Sequence, residues 1–164
     1  MPKSEVQKVT DEKVNAGGVL LRLYFDMHSK EKDKLQPLLV DLINNHLLKE
    51  PGVVYCYGSI EDPLEIEGVF TTSATATVLF ENVRSAITMV FRYAPVGIEV
   101  MQPTKDIMLK IADLQAILMD ISQTASNYSK YIVQNVMTEE QRTALANDIE
   151  KRSQKGKEDI GGKS

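Results

Sequence analysis

A chain of 164 residues, 43% apolar and 26% charged, can bury one hydrophobic core and lies outside the compositions of disordered and membrane-embedded proteins. A formal charge of -4 gives no general attraction to phosphate backbones, so nucleic acid is a poor partner. The single cysteine, Cys56, excludes an internal disulfide and a multi-cysteine zinc cluster; with no bilayer-length apolar run and no signal-peptide core, the expected location is the cytoplasm, with no membrane partner.

Residues 1–17 are polar and non-periodic and read as a flexible leader ending at Gly17 and Gly18. From Val19, apolar residues alternate with Arg22, Tyr24, Asp26 and His28, which predicts a half-buried strand with its odd positions toward the core. Leu35, Leu38, Leu39, Leu42, Ile43, His46 and Leu47 then form the stripe of an amphipathic helix, with Pro37 in its first turn and its end at Pro51-Gly52. Val53 to Ser59 is rich in strand formers, and an acidic loop runs from Ile60 through Glu67.

From Val69 to Phe80, Phe70, Ala74, Ala76, Val78 and Phe80 alternate with Thr71, Ser73, Thr75 and Thr77, a long strand with one polar face. Asn82 caps a second helix that Pro95 terminates, and Val96, Ile98 and Val100 alternate as a fourth strand. The resulting order, β-α-β-β-α-β over residues 18–102, is the α+β ferredoxin-like split βαβ, an antiparallel sheet with both helices on one face. A fold so widely shared transfers no function.

Residues 103–152 read as a helical extension. Ile107, Ile111, Leu114, Leu118, Ile121, Ala125, Tyr128 and Ile132 recur at alternating spacings of four and three, the repeat of a long helix packed along one seam. The flanks carry Met108, Ile117, Thr124 and Tyr131 in place of the charges of a simple zipper, so the stripe is broad enough to pack on two surfaces, its own domain and a neighbouring copy. About 30 residues of helix would span about 45 Å, longer than a small sheet is wide. Ile107, Ile111, Leu114, Leu118, Ile121, Tyr128 and Ile132 are therefore the expected oligomer interface. Thr138 to Gln141 is a capping box opening a short helix, and residues 153–164 read as a disordered, basic tail.

Chemistry is sparse. There is no phosphate-binding glycine loop, no H-E-x-x-H and no G-x-S-x-G elbow. The split βαβ order brings Asp26 and His28 toward Glu65 and Glu67 of the acidic loop, a set of oxygens and one imidazole that suits a divalent metal. His46 reads as a core histidine and Cys56 as a small inert hydrophobe in its strand. The sequence thus points to a non-catalytic, homo-oligomeric small-molecule-sensing, regulatory or scaffolding protein whose polar sheet face or intersubunit groove meets a small-molecule ligand or partner. The alternative is a divalent-metal-dependent enzyme built on Asp26, His28, Glu65 and Glu67.

Overall fold

The computed structural model describes residues 4–161 and carries five strands and five α-helices among them. The first element is one the sequence hides. Residues expected to be a loose leader form helix α1, Glu5–Asn15, opened by a capping box in which Ser4 Oγ accepts from the Gln7 N–H and the Gln7 side chain accepts from the Ser4 N–H. After α1 the chain reverses through Gly17, at φ +103°, and Gly18. A Cβ on Gly18 would stand 2.5 Å from the carbonyl oxygen of Phe80 and 2.7 Å from that of Lys13, so the helix end and the sheet approach as closely as they do because this residue has no side chain.

Strand β1, Val19–Ser29, leads into helix α2, Lys32–Asp41. This helix starts earlier than its stripe suggests, so Pro37 falls in the second turn, where it cannot donate to the carbonyl of Asp33. The helix then widens into a π turn, Leu42–His46, and tightens into a 3-10 turn, Leu47–Lys49. Strand β2, Val53–Ile60, follows, and the acidic loop contains a further short strand, β3, Leu64–Ile66. It joins β4, Val69–Phe80, through the two residues Glu67 (φ 52°) and Gly68 (φ 79°), the left-handed pair that a tight hairpin requires. Helix α3, Val83–Tyr93, is capped by Asn82, whose side chain accepts from the Ser85 N–H at 2.9 Å, and strand β5, Gly97–Gln102, completes the sheet.

The strands lie in the order β2-β4-β1-β5, all antiparallel, with β3 beside the far end of β4. Setting β3 aside, this is the ferredoxin-like arrangement expected from the sequence. One face carries the core. Leu21, Leu23 and Phe25 of β1 sit beside Ala74, Ala76 and Val78 of β4, and Leu39, Ile43 and Leu47 from α2 and its extension join Ala86 and Met89 of α3 over them. Both helices therefore cover the same side, as the strand alternation demands.

The opposite face is only partly polar. Leu20 and Leu79 pair across it yet are buried, and Tyr55, which pairs with Leu79, has its hydroxyl 2.8 Å from Thr10 Oγ1. Helix α1 thus covers one end of this face, making a third layer and leaving the rest open.

Residues up to Leu118 form one compact unit and those from Met119 a second. The boundary between the two units lies inside the long helix α4, Ile111–Asn135. This helix starts after an irregular stretch that holds Ile107, so that member of the expected seam is not helical. In the second unit the Thr138 capping box is formed with Gln141, and helix α5 runs Glu139–Gly161. It is longer than expected and takes in the residues from 153 read as a disordered tail; residues 162–164 of that tail lie outside the described residues.

Candidate functional site

The open sheet face can be read rung by rung from the register, since residues directly paired across an antiparallel ladder share a face. One rung runs Tyr57, Thr77, Arg22 and Glu99 across β2, β4, β1 and β5; the next runs Ser59, Thr75, Tyr24 and Gly97. Arg22 Nη1 donates to Glu99 Oε2 at 3.0 Å, and Tyr24 Oη reaches the same oxygen at 3.4 Å. Gly97 leaves room for the Tyr24 ring, since a Cβ there would come within 3.1 Å of it. Below these rungs Ser73 Oγ donates to Asp26 Oδ1 at 2.8 Å, and His28 shares a rung with Thr71 and Leu64.

That register separates the expected metal ligands. Asp26 and His28 lie on the open face, whereas Glu65 pairs with Phe70, which on its other side pairs with Ser29, and so lies on the other side of the sheet. Glu67 occupies the left-handed hairpin turn. The topology does bring the end of β1 to the acidic hairpin, but the pleat sends the carboxylates apart. Among the described residues no group of three or more His, Cys, Asp or Glu side chains is placed to hold a metal ion. The register therefore does not bring Glu65 to the face that carries Asp26 and His28.

The open face ends in an apolar patch. Leu64, Ile66 and Val69 share it with His28 and Thr71 and are all exposed, Leu64 to 65%. With Tyr24 and Tyr57, also exposed, they make a surface of hydroxyls, aromatic rings and aliphatic groups flanked at one end by α1. Such a mixture suits recognition of a partner surface, where aromatic and aliphatic anchors are joined by hydrogen bonds. A cleft of about 400 Å³ lies where the end of α1 meets the stretch holding Pro103, Asp106 and Met108. Asp106 is the one ionisable side chain lining it, which leaves no acid–base pair for catalysis there.

A second polar cluster was not foreseen. Glu50, whose side chain is only 10% exposed, accepts from Arg92 Nη1 at 2.6 and 2.8 Å on its two oxygens and from Tyr93 Oη at 2.5 Å. Burial acts to raise the Glu50 pKa, but the hydrogen bonds from Tyr93 and Arg92, with the Arg92 charge, outweigh it and hold the carboxyl below its usual range. Burial and the same carboxylate raise the Tyr93 hydroxyl. His46, expected in the core, is 54% exposed because the π turn rotates it outward, where Nε2 lies 3.2 Å from Asp41 Oδ2, five residues earlier. The hint in the sequence is weak: two adjacent polar residues, Arg92 and Tyr93, ending a helix opposite a Glu-Pro-Gly turn.

The Glu50 cluster clamps the end of α3 to the turn before β2. A carboxylate with a depressed folded pKa stabilises the fold above its unfolded pKa and loses that contribution as pH falls through the folded value. Glu50→Gln is therefore expected to cost about 2 kcal/mol at pH 7, with the deficit relative to wild type shrinking below about pH 4.3. Urea midpoints at the two pH values measure this, and a pH-independent deficit would contradict the clamp.

Cys56 is half-buried in β2, and burial pushes its thiol up to about 11, which leaves it protonated and unreactive near neutrality. Along the expected seam of α4, Ile111 is 85% exposed, Leu118 58% and Tyr128 56%, with Leu114 and Ile132 also exposed and Ile121 partly so. On the flank of the same helix, Ile117 is buried.

No helix among the described residues is long and apolar enough to cross a membrane. The model of the MJ0538 family matches residues 20–156. No curated protein and no solved structure matches the chain.

Proposed function

The chain belongs to the MJ0538 family, and on that premise we propose a cytoplasmic, non-catalytic scaffolding module that self-associates through α4 and presents its open sheet face to a ligand or partner. The match runs from β1 into α5, so the long helices belong to the same family unit as the sheet and are not a private appendage of this chain. The observation that carries the reading is the outward apolar seam of α4, at Ile111, Leu114, Leu118, Tyr128 and Ile132. A single chain that leaves so much contiguous apolar surface in water lacks the burial that stabilises a long helix; a second copy supplies it.

The buried flank residue Ile117 beside an exposed seam fits a helix that uses two surfaces, as its broad stripe implies. The dispersal of Asp26, His28, Glu65 and Glu67, with a single carboxylate in the largest cleft described above, supports binding over catalysis. Native mass spectrometry of the untagged chain tests the reading. A homo-oligomer is the expected species, with any retained small molecule visible as added mass; a monomer at micromolar concentration would overturn it.

A further inference from the structure

We infer that α1 is a strap, a helix that lifts from the open sheet face about Gly17 while the sheet beneath it stays folded, and that lifting lengthens that face by one rung. The strap belongs to the single chain and stands whether or not copies associate through α4.

What the helix covers is continuous with what is already open. Beneath it lies the rung Tyr55, Leu79, Leu20 and Gln102 of β2, β4, β1 and β5, the next along the ladder from Tyr57, Thr77, Arg22 and Glu99. Leu20 and Leu79 are buried, and the rings of Tyr55 and Tyr57 stack across the boundary with centroids 5.9 Å apart. One aromatic and aliphatic surface thus runs under the strap and out from its edge.

Little holds the helix down. Thr10 is its one buried residue; Val9 and Val14 are half-buried, and Val6 is 53% exposed. Over two leucines the helix therefore sets a threonine, where a larger apolar side chain would bury more. The Thr10 hydroxyl has one proton, which goes to the Val6 carbonyl of its own helix at 2.7 Å, so in the 2.8 Å contact Tyr55 Oη donates and Thr10 Oγ1 accepts. On lifting, Thr10 keeps its bond and Tyr55 turns its proton to water, an exchange of small net cost. The second tie, Lys13 Nζ to Glu81 Oε1 at 4.0 Å, joins two partly exposed groups and is weak for that reason.

The helix also carries its own caps and a hinge. The Ser4 and Gln7 box closes its first turn, and the N–H groups of Ala16 and Gly17 donate back to the carbonyls of Glu12 and Val14 at its last. Nothing lies within 4 Å of where a Cβ on Gly17 would stand, so the turn is unpacked on that side. Gly18 is the opposite, wedged against the Phe80 carbonyl and fixed to the sheet. Turning at Gly17 breaks one backbone bond, from the Gly18 N–H to the Lys13 carbonyl at 2.8 Å. The family match starts at residue 20, beyond strap and hinge, so both lie outside the matched unit. Elements with so few buried apolar contacts are the ones that open locally while the core stays shut.

Hydrogen exchange on the full-length protein, read amide by amide, tests the strap. Amides of residues 9–15 should share one opening free energy and exchange at least about a hundredfold faster than those of residues 75–79 in β4, which wait for global unfolding. Met89→Ala, a core change in α3 on the other face of the sheet, should speed the β4 amides at least about thirtyfold and leave the α1 amides at their wild-type rates. Tyr55→Phe, which removes the one hydrogen bond from sheet side chain to strap, should speed the α1 amides about fivefold. Residues 9–15 exchanging at the rate of the β4 amides, and moved equally by Met89→Ala, would make α1 a fixed part of the sheet and overturn the strap. Rates that fall steadily from residue 9 to 15, the mark of an end that only frays, would overturn it too.

Discussion

Phe80→Ala should lower the free energy of unfolding by about 3–5 kcal/mol, the range for deleting a fully buried aromatic ring. Phe80 is completely inaccessible and ends the central strand β4, where it pairs with Val19 of β1 on one side and Val53 of β2 on the other. Its own carbonyl is the atom against which Gly18 fits so closely. The ring therefore sits where the α1 turn, two neighbouring strands and the helix-covered core meet, and no side chain can relax into its place without moving a strand. Loss of the transfer energy and the residual cavity act in the same direction. Urea unfolding measures it against Leu64→Ala, a change at a 65% exposed position that should stay within about 0.5 kcal/mol of wild type. Equal midpoints for the two variants would show that the sheet end is not packed as described.

The second large effect concerns association. Leu118→Glu with Ile132→Glu should convert the proposed oligomer to a monomer, weakening association at least a hundredfold while leaving the circular dichroism spectrum in place. Both positions are exposed in the single chain, so the folded monomer accepts carboxylates there at little cost. In a two-fold assembly each substitution appears twice, and burying even one unpaired carboxylate at an apolar contact costs about 3 kcal/mol or more. Sedimentation velocity across a dilution series reads the change. An unaltered assembly state would mean that copies meet elsewhere and that the seam serves some other purpose.

Much of the sheet was legible because its residues obey a simple period. The alternations of Val19 to Phe25 and Phe70 to Phe80 fix which side is buried, and the helix stripes fix what covers it. Strand β3 escaped because three residues beside Glu65 and Glu67 look like a wet loop; its signal is the Glu67-Gly68 pair, which closes a tight hairpin. Helix α1 escaped for a different reason. Its face toward the sheet buries Thr10, a residue that carries no hydrophobic signal, and its trace lies in its targets, Leu20 and Leu79, apolar residues on an otherwise polar face.

The candidate site was less legible than the fold. Proximity along the topology drew Asp26, His28, Glu65 and Glu67 into one group, but side-chain direction alternates with every residue, and a hairpin that pairs Glu65 with Phe70 settles its face. The Glu50, Arg92 and Tyr93 clamp joins residues 42 and 43 positions apart, a distance over which no local pattern carries information. His46 changed environment because an α-helix became a π turn, and the stripe that placed it inward assumed a uniform 3.6-residue period.

The position of β1 bears on how the chain reaches this structure during synthesis. It is the first strand to be made, yet its two neighbours in the sheet are β4 and β5, the last of which ends at Gln102. A nascent chain carrying Leu21, Leu23 and Phe25 thus has only the following helix to cover them until β4 is complete at Phe80, and the second edge of β1 stays open until Gln102, at rates of roughly 5–20 residues per second. The sheet consequently assembles late, first on the β4 side and then on the β5 side, with the slow kinetics of long-range pairing, and β1 presents an unpaired edge until Gln102 has emerged.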